Sequence, residues 1–117
     1  MPTDFLVLFR EPDGRTEPHD PVFAQQHQQH WQEWFSKYGQ LGKLAGGQAL
    51  TLEGRVLRRA EEPAEPGPHR VGTEIVGGYL LLKATDLEEA TAIIRECPIF
   101  EAGGYAEIRP VMSRGNQ

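Results

Sequence analysis

Two histidines, His27 and His30, stand three residues apart in a stretch that also carries Phe23, Trp31, Trp34, Phe35 and Tyr38. Imidazole changes charge close to neutral pH, so a histidine on an apolar face is a candidate proton carrier, here His30 first and His27 second. The same placement suits a hydrogen-bonded histidine of a core or a subunit interface, and residue types alone leave both readings open. Three-residue spacing can bring two imidazoles to one metal ion. No Asp, Glu or Cys is positioned in sequence to complete a ligand set, so no metal is predicted. Trp31 and Trp34, with Tyr38, can wall a pocket for a planar ligand or pack a core; Trp34 is read as core, while Trp31 stays open to a ligand. Glu107 and Arg109 lie two apart on a strand, hence on one face, where they can pair with each other or with a partner chain, or leave the Arg109 fork for an anion. The candidate ligand contacts are His27, Trp31, Tyr79, Glu107 and Arg109.

Repeating elements must position these side chains. Phe5 to Phe9 is an unbroken apolar run that ends at Glu11-Pro12-Asp13-Gly14, which predicts a strand buried on both faces followed by a turn. Asp20-Pro21 supplies an N-cap residue and a proline at the first helical position. With Phe23 at the origin of a helical wheel, His27 falls at about 40° and His30 at about −20°, beside Trp34 and Tyr38, so both histidines are expected to look toward the sheet. Gly39 and Gly42 are expected to stop this helix.

Lys43 to Leu50 and Arg55 to Arg58 read as two short strands around a Glu53-Gly54 turn. Ala60 to His69, with three prolines and three glutamates, reads as a mobile loop. Ile75 to Ala84 is a second strand apolar on both faces. Thr85-Asp86-Leu87-Glu88 matches a capping box opening a second helix, with Leu87, Ala90, Ile93, Ile94 and Cys97 on its inner face and Pro98 at its end. Gly103-Gly104 turns the chain into a last strand, Tyr105 to Val111, and the tail after Met112 is expected to fray. Neither glycine pair, Gly77-Gly78 or Gly103-Gly104, is followed by a helix at phosphate-loop spacing, so no nucleotide or other cofactor is predicted.

Composition narrows the class. A chain of 117 residues suits one domain, and 38 % hydrophobic residues exclude wholesale disorder. A net charge of −5 disfavours a nucleic-acid partner. The longest uncharged apolar run falls far short of a membrane helix, and no basic start with an apolar segment marks a signal peptide, so a cytoplasmic location is expected. The single cysteine, Cys97, rules out an internal disulfide and fits a reducing compartment.

The order strand, helix, two short strands, strand, helix, strand points to an α+β, ferredoxin-like sheet with two helices on one face, its parallel neighbours joined by right-handed crossovers. Two strands apolar on both sides then leave one face uncovered. A second subunit is its simplest cover, so a homodimer is predicted.

Trp31-Gln32-Glu33-Trp34, Gly42-Lys43-Leu44, Glu74-Ile75-Val76-Gly77-Gly78-Tyr79, Lys83-Ala84, Glu89-Ala90, Cys97-Pro98, Gly103-Gly104 and Glu107-Ile108-Arg109-Pro110-Val111-Met112 together resemble the YCII-related family, in its DGPF-domain branch. The resemblance implies a single domain over residues 1–117 and a dimeric α+β barrel of two sheets face to face. The namesake Asp-Gly-Pro-Phe reads Pro66-Gly67-Pro68-His69 here, keeping only glycine and proline. In other YCII-related proteins, a histidine near the start of the first helix is thought to work with an aspartate after the second strand. Here His27 and His30 are present, but the strand end reads Gln48-Ala49-Leu50. The expected function is a small dimeric binding or accessory, regulatory protein holding a small molecule between the first helix and the sheet. The alternative is an enzyme using His30 or His27 as general acid or base on a small aromatic or carbonyl substrate, with Glu107 or a residue of the second subunit supplying the carboxylate.

Overall fold

The computed structural model describes residues 3–16 and 19–112. The expected fraying after Met112 and part of the loop between Arg15 and Pro21 lie outside the described residues. In chain order the elements are β1 (Thr3–Glu11), α1 (Pro21–Gln40), β2 (Leu44–Ala49), β3 (Gly54–Val56), β4 (Glu65–Gly67), β5 (Ile75–Ala84), α2 (Leu87–Arg95), a 3₁₀ turn (Pro98–Ala102) and β6 (Tyr105–Pro110).

The main sheet has the order β2-β5-β1-β6, and every neighbouring pair is antiparallel. This corrects the expectation of parallel neighbours. The helical crossovers do join parallel strands, β1 to β2 and β5 to β6, but in each case another strand is inserted between them. That split arrangement gives both central strands antiparallel partners on each side, the slightly more stable pairing.

Phe5, Val7 and Phe9 of β1 and Leu80, Leu82 and Ala84 of β5 point one way, where Trp34, Tyr38, Ala90, Ile93, Ile94, Cys97 and Ile99 cover them. Leu6 and Leu8, with Leu81 and Tyr79 directly opposite them, point the other way and are only half-buried. Within one chain the apolar strands are therefore buried on one face, not both, because both helices lie on the same side.

Asp20 caps α1 by accepting from the Val22 N–H at 3.1 Å, and Pro21 occupies its first turn. Gly39 lies inside the helix, which runs to Gln40 before Gly42, at φ 72°, takes the left-handed turn. The capping box of α2 is shifted by one residue. Asp86, not Thr85, accepts from the Glu89 N–H at 2.8 Å, and Glu89 reaches back to the Thr85 N–H at 2.7 Å. Leu87, expected inward, is exposed in the first turn.

The expected hairpin about Glu53-Gly54 does not form. β2 pairs with β5, and β3 pairs instead with β4 in a separate two-stranded sheet. Thus Glu65–Gly67, expected to be loop, is a short strand; Pro66 is tolerated because neither strand continues the sheet beyond the pair. Gly47 sits at φ 154°, and a Cβ there would come within 2.7 Å of the Tyr79 carbonyl, so only glycine lets β2 lie this closely along β5.

Candidate functional site

The inner face of the sheet is not fully covered by α1. Where the helix rides over the ends of β2 and β5, a cleft of about 330 Å³ remains, walled by Phe9, Trp31, Phe35 and Ile99 and floored by Gly47 and Gly78. Trp31 is the centre of this wall. Its ring meets Phe9 edge-on at 5.4 Å, lies along Phe35 at 5.3 Å and meets Trp34 edge-on at 5.9 Å. Such offset and edge contacts hold an indole in place while leaving an aromatic surface for a ligand.

The mouth is polar and tied down by Arg15, a non-glycine residue at φ 63°. Its guanidinium donates to both Glu11 carboxylate oxygens, to the Leu50 carbonyl at 2.7 Å and to the Gly77 carbonyl at 2.9 Å. Hydrogen bonding to Glu11 raises the Arg15 pKa further, so this strap stays charged. A Cβ on Gly77 would overlap the Glu11 carboxylate, so Gly77 has no side chain where the strap must cross it.

Behind Trp31 lies the histidine cluster. The indole N–H of Trp31 donates to His27 Nε2 at 3.0 Å, and His27 Nδ1 is 2.9 Å from Glu101 Oε1. An indole nitrogen can only donate, so Nε2 is the unprotonated nitrogen and Nδ1–H faces the carboxylate. His30 Nδ1 is 2.8 Å from the other Glu101 oxygen. The hydrogen bond from His27, and then that from His30, holds the Glu101 carboxyl below the usual carboxylate range against the opposing effect of desolvation. His27 thus has both nitrogens engaged, whereas His30 keeps Nε2 without a protein partner among the described residues and is the more exposed of the two.

Of the sequence candidates, only Trp31 presents its side chain to the cleft. His27 and His30 stand behind it. Tyr79 borders the cleft, but the strand pleat sends its ring to the far face, opposite Leu8. Glu107 and Arg109 also lie on that far face, and Glu107 pairs with Arg10 at 2.8 Å rather than with Arg109. The reason is register: Leu8 is opposite Glu107 and Arg10 opposite Tyr105, so Arg10 is the diagonal neighbour of Glu107 and reaches it across the strands. Hydrogen bonding from Arg10, more than the nearby Arg109 charge, holds the Glu107 carboxyl down.

The carboxylate beside the histidines comes from Glu101 on the 3₁₀ turn, not from Glu107. Sequence reasoning missed it because it lies 71 residues beyond His30 on a turn with no spacing signal. Sequence reasoning also missed Phe35, Glu11 and Arg15. Glu101 sits between the two imidazoles, and among the described residues no group of three or more His, Cys, Asp or Glu side chains is arranged to hold a metal ion.

A four-stranded antiparallel sheet with split crossovers, two helices on one face and a helix–sheet cleft defines a ferredoxin-like α+β domain. The chain belongs to the YCII-related family, whose domain model matches residues 17–113. Comparison with curated proteins gives no match. Among solved structures, the fold is similar to 5-chloro-2-hydroxyhydroquinone dehydrochlorinase (TftG) from Burkholderia phenoliruptrix AC1100, in complex with 2,5-dihydroxybenzoquinone. The TM-score is 0.52 at 15 % identity, over 97 % of this chain and 99 % of that one. At that identity the likeness is one of fold. No helix among the described residues is long and apolar enough to cross a membrane.

Proposed function

We propose that this protein, a YCII-related chain of the DGPF type acting in the cytoplasm, binds a small planar molecule in the cleft between α1 and the sheet. The observation that carries this reading is the aromatic cleft of about 330 Å³, a size that suits one ring with a few substituents. Trp31 and Phe35 supply its stacking surface. The quinone bound by TftG, a protein of the same fold, makes hydroxylated quinones and phenols the first compounds to try. In a thermal-shift screen combined with tryptophan fluorescence, a ligand should raise Tm and quench emission. A ligand at 100 times its Kd should stabilise the protein by about 2.7 kcal/mol. Phe35→Ala should abolish both responses with little change in the Tm of the free protein, since Phe35 is 42 % exposed. Retention of full affinity in Phe35→Ala would overturn this site.

The enzyme reading is favoured by one specific feature, the His30–Glu101 pair, which orients the imidazole through Nδ1 and leaves Nε2 free to move a proton. Because His30 lies outside the cleft lining, this reading places the reacting atom of the substrate at the exposed Nε2 of His30, and His30→Gln should remove turnover while leaving ligand binding in the Trp31–Phe35 cleft intact. The homodimer is supported by the half-exposed row of Leu6, Leu8, Tyr79 and Leu81 on the far sheet face. Light scattering should give about twice 13.1 kDa.

A further inference from the structure

Trp31 and Phe35 account for the stacking surface of the cleft, and the charge a ligand can carry there is decided at the mouth. Among the described residues that line the cleft, Arg15 is the one cation and Glu11 the one anion. They form a closed pair: Arg15 Nε lies 2.9 Å from Oε1 of Glu11, and Arg15 Nη2 lies 2.9 Å from Oε2. In this two-point geometry the guanidinium fork is matched to the carboxylate, and little positive charge is left over. Asp13 adds a second carboxylate, accepting from the Arg15 backbone N–H at 3.2 Å, so one positive charge stands against two negative ones. The whole chain carries a net charge of −5. An anion entering the cleft would lose its water and meet no unpaired cation in exchange.

The same arrangement leaves one donor. A guanidinium carries five N–H bonds. Nε–H and one Nη2–H go to Glu11, the other Nη2–H to the Gly77 carbonyl, and one Nη1–H to the Leu50 carbonyl. The second Nη1–H has no protein partner among the described residues. The backbone beneath it holds a φ of 63°, a conformation that a non-glycine residue keeps only where its surroundings impose it. An uncharged ring with an acceptor oxygen at one end suits both the neutralised charge and the remaining donor.

We infer that Glu11 sets the charge specificity of the cleft: by neutralising Arg15 it makes the site take uncharged planar compounds whose carbonyl oxygen accepts from Arg15 Nη1, and reject aromatic carboxylates. This rests on the small-molecule reading above and narrows it to a class of ligand.

Three probes test it. Acetophenone and benzoate have nearly the same shape and differ in charge, and toluene offers a ring without an acceptor. Titrated into the full chain and followed by the NMR signal of the Trp31 indole N–H, acetophenone should bind at least about tenfold more tightly than benzoate, because the carboxylate meets like charge. Glu11→Gln keeps the shape of the side chain and an oxygen for Arg15 to donate to, and it should abolish that preference or reverse it. Arg15→Gly, which suits a left-handed φ, should weaken acetophenone about tenfold and leave toluene within about twofold, the pattern of one lost hydrogen bond in an intact cleft.

Wild-type protein that binds benzoate as tightly as acetophenone, or a preference unchanged in Glu11→Gln, overturns the charge filter and leaves the cleft reading standing. Equal weakening of acetophenone and toluene in Arg15→Gly overturns the Arg15 contact in the same way. No response of the wild type to either acetophenone or toluene at millimolar concentration overturns the cleft reading and this inference with it.

Discussion

The indole N–H of Trp31 donates to Nε2 of His27 at 3.0 Å, and through this bond the wall of the cleft is tied to the Glu101 carboxylate behind it. Because Trp31 can only donate, protonating His27 at Nε2 and keeping this bond are mutually exclusive. His27 is therefore a positioning residue for the wall, and the two histidines differ in kind despite sharing one carboxylate.

His27→Ala should destabilise the protein by about 1–3 kcal/mol in urea unfolding, since it strands a partly buried indole N–H. His30→Gln should change stability by less than about 0.5 kcal/mol, as expected of an exposed position. Equal costs for the two would contradict the arrangement, as would a larger cost for His30→Gln.

Glu89, Glu96, Glu101 and Glu107 all have carboxyls held below the ordinary range, by the Thr85 N–H, by Lys37, by His27 and by Arg10 respectively as the leading causes. A carboxyl whose pKa is lower folded than unfolded adds stability above the unfolded value, and this is lost as pH falls through the folded one. Tm should accordingly hold near neutral pH and drop progressively below about pH 4.3. All four groups are exposed enough for solvent to screen them, so the acid loss should shrink in high salt.

Burial pushes the Cys97 thiol up to about 11, and the side chain is almost wholly enclosed beneath α2. The thiolate, not the thiol, reacts with alkylating agents. Native protein at neutral pH should resist iodoacetamide for hours and be labelled only after unfolding. Rapid labelling of folded protein, followed by mass spectrometry, would falsify this placement.

Gly77→Ala would drive a methyl group into the Glu11 carboxylate and loosen the Arg15 strap over the cleft mouth. We expect a cost of about 1–2 kcal/mol, consistent with loss of a charge-assisted bond. In a double-mutant cycle, adding Gly77→Ala to Glu11→Ala should cost much less than it does alone, because the group it displaces is gone. Additive costs would show that the two residues do not meet.

Replacing the α2 cap, Asp86→Ala, should cost about 0.5–2 kcal/mol. Thr85→Ala should cost less, because Thr85 presents mainly its backbone N–H to Glu89, and alanine keeps that group. The reverse order would restore the cap to Thr85.

What the sequence determined by itself is whatever is written within a few residues of chain. The strand at Phe5 to Phe9, though not its burial on both faces, the Asp20-Pro21 helix start, the inward Trp34 and Tyr38, and the split of Ala106 and Ile108 from Glu107 and Arg109 are all local periodicities or caps, and these are present as read. Choices between distant partners were not legible. Whether β3 pairs with β2 or with β4 depends on Gly47 fitting closely along β5, and whether Glu107 takes Arg109 or Arg10 depends on the register of β1 against β6. The histidine cluster shows the same division. The wheel turns both histidines toward the sheet, yet His30 lies exposed, and only the packing of the 3₁₀ turn against α1 brings Glu101 between them. Periodic burial is enforced by each element's own geometry, whereas a pair of side chains separated by 71 residues meets only after every intervening element has chosen its neighbour.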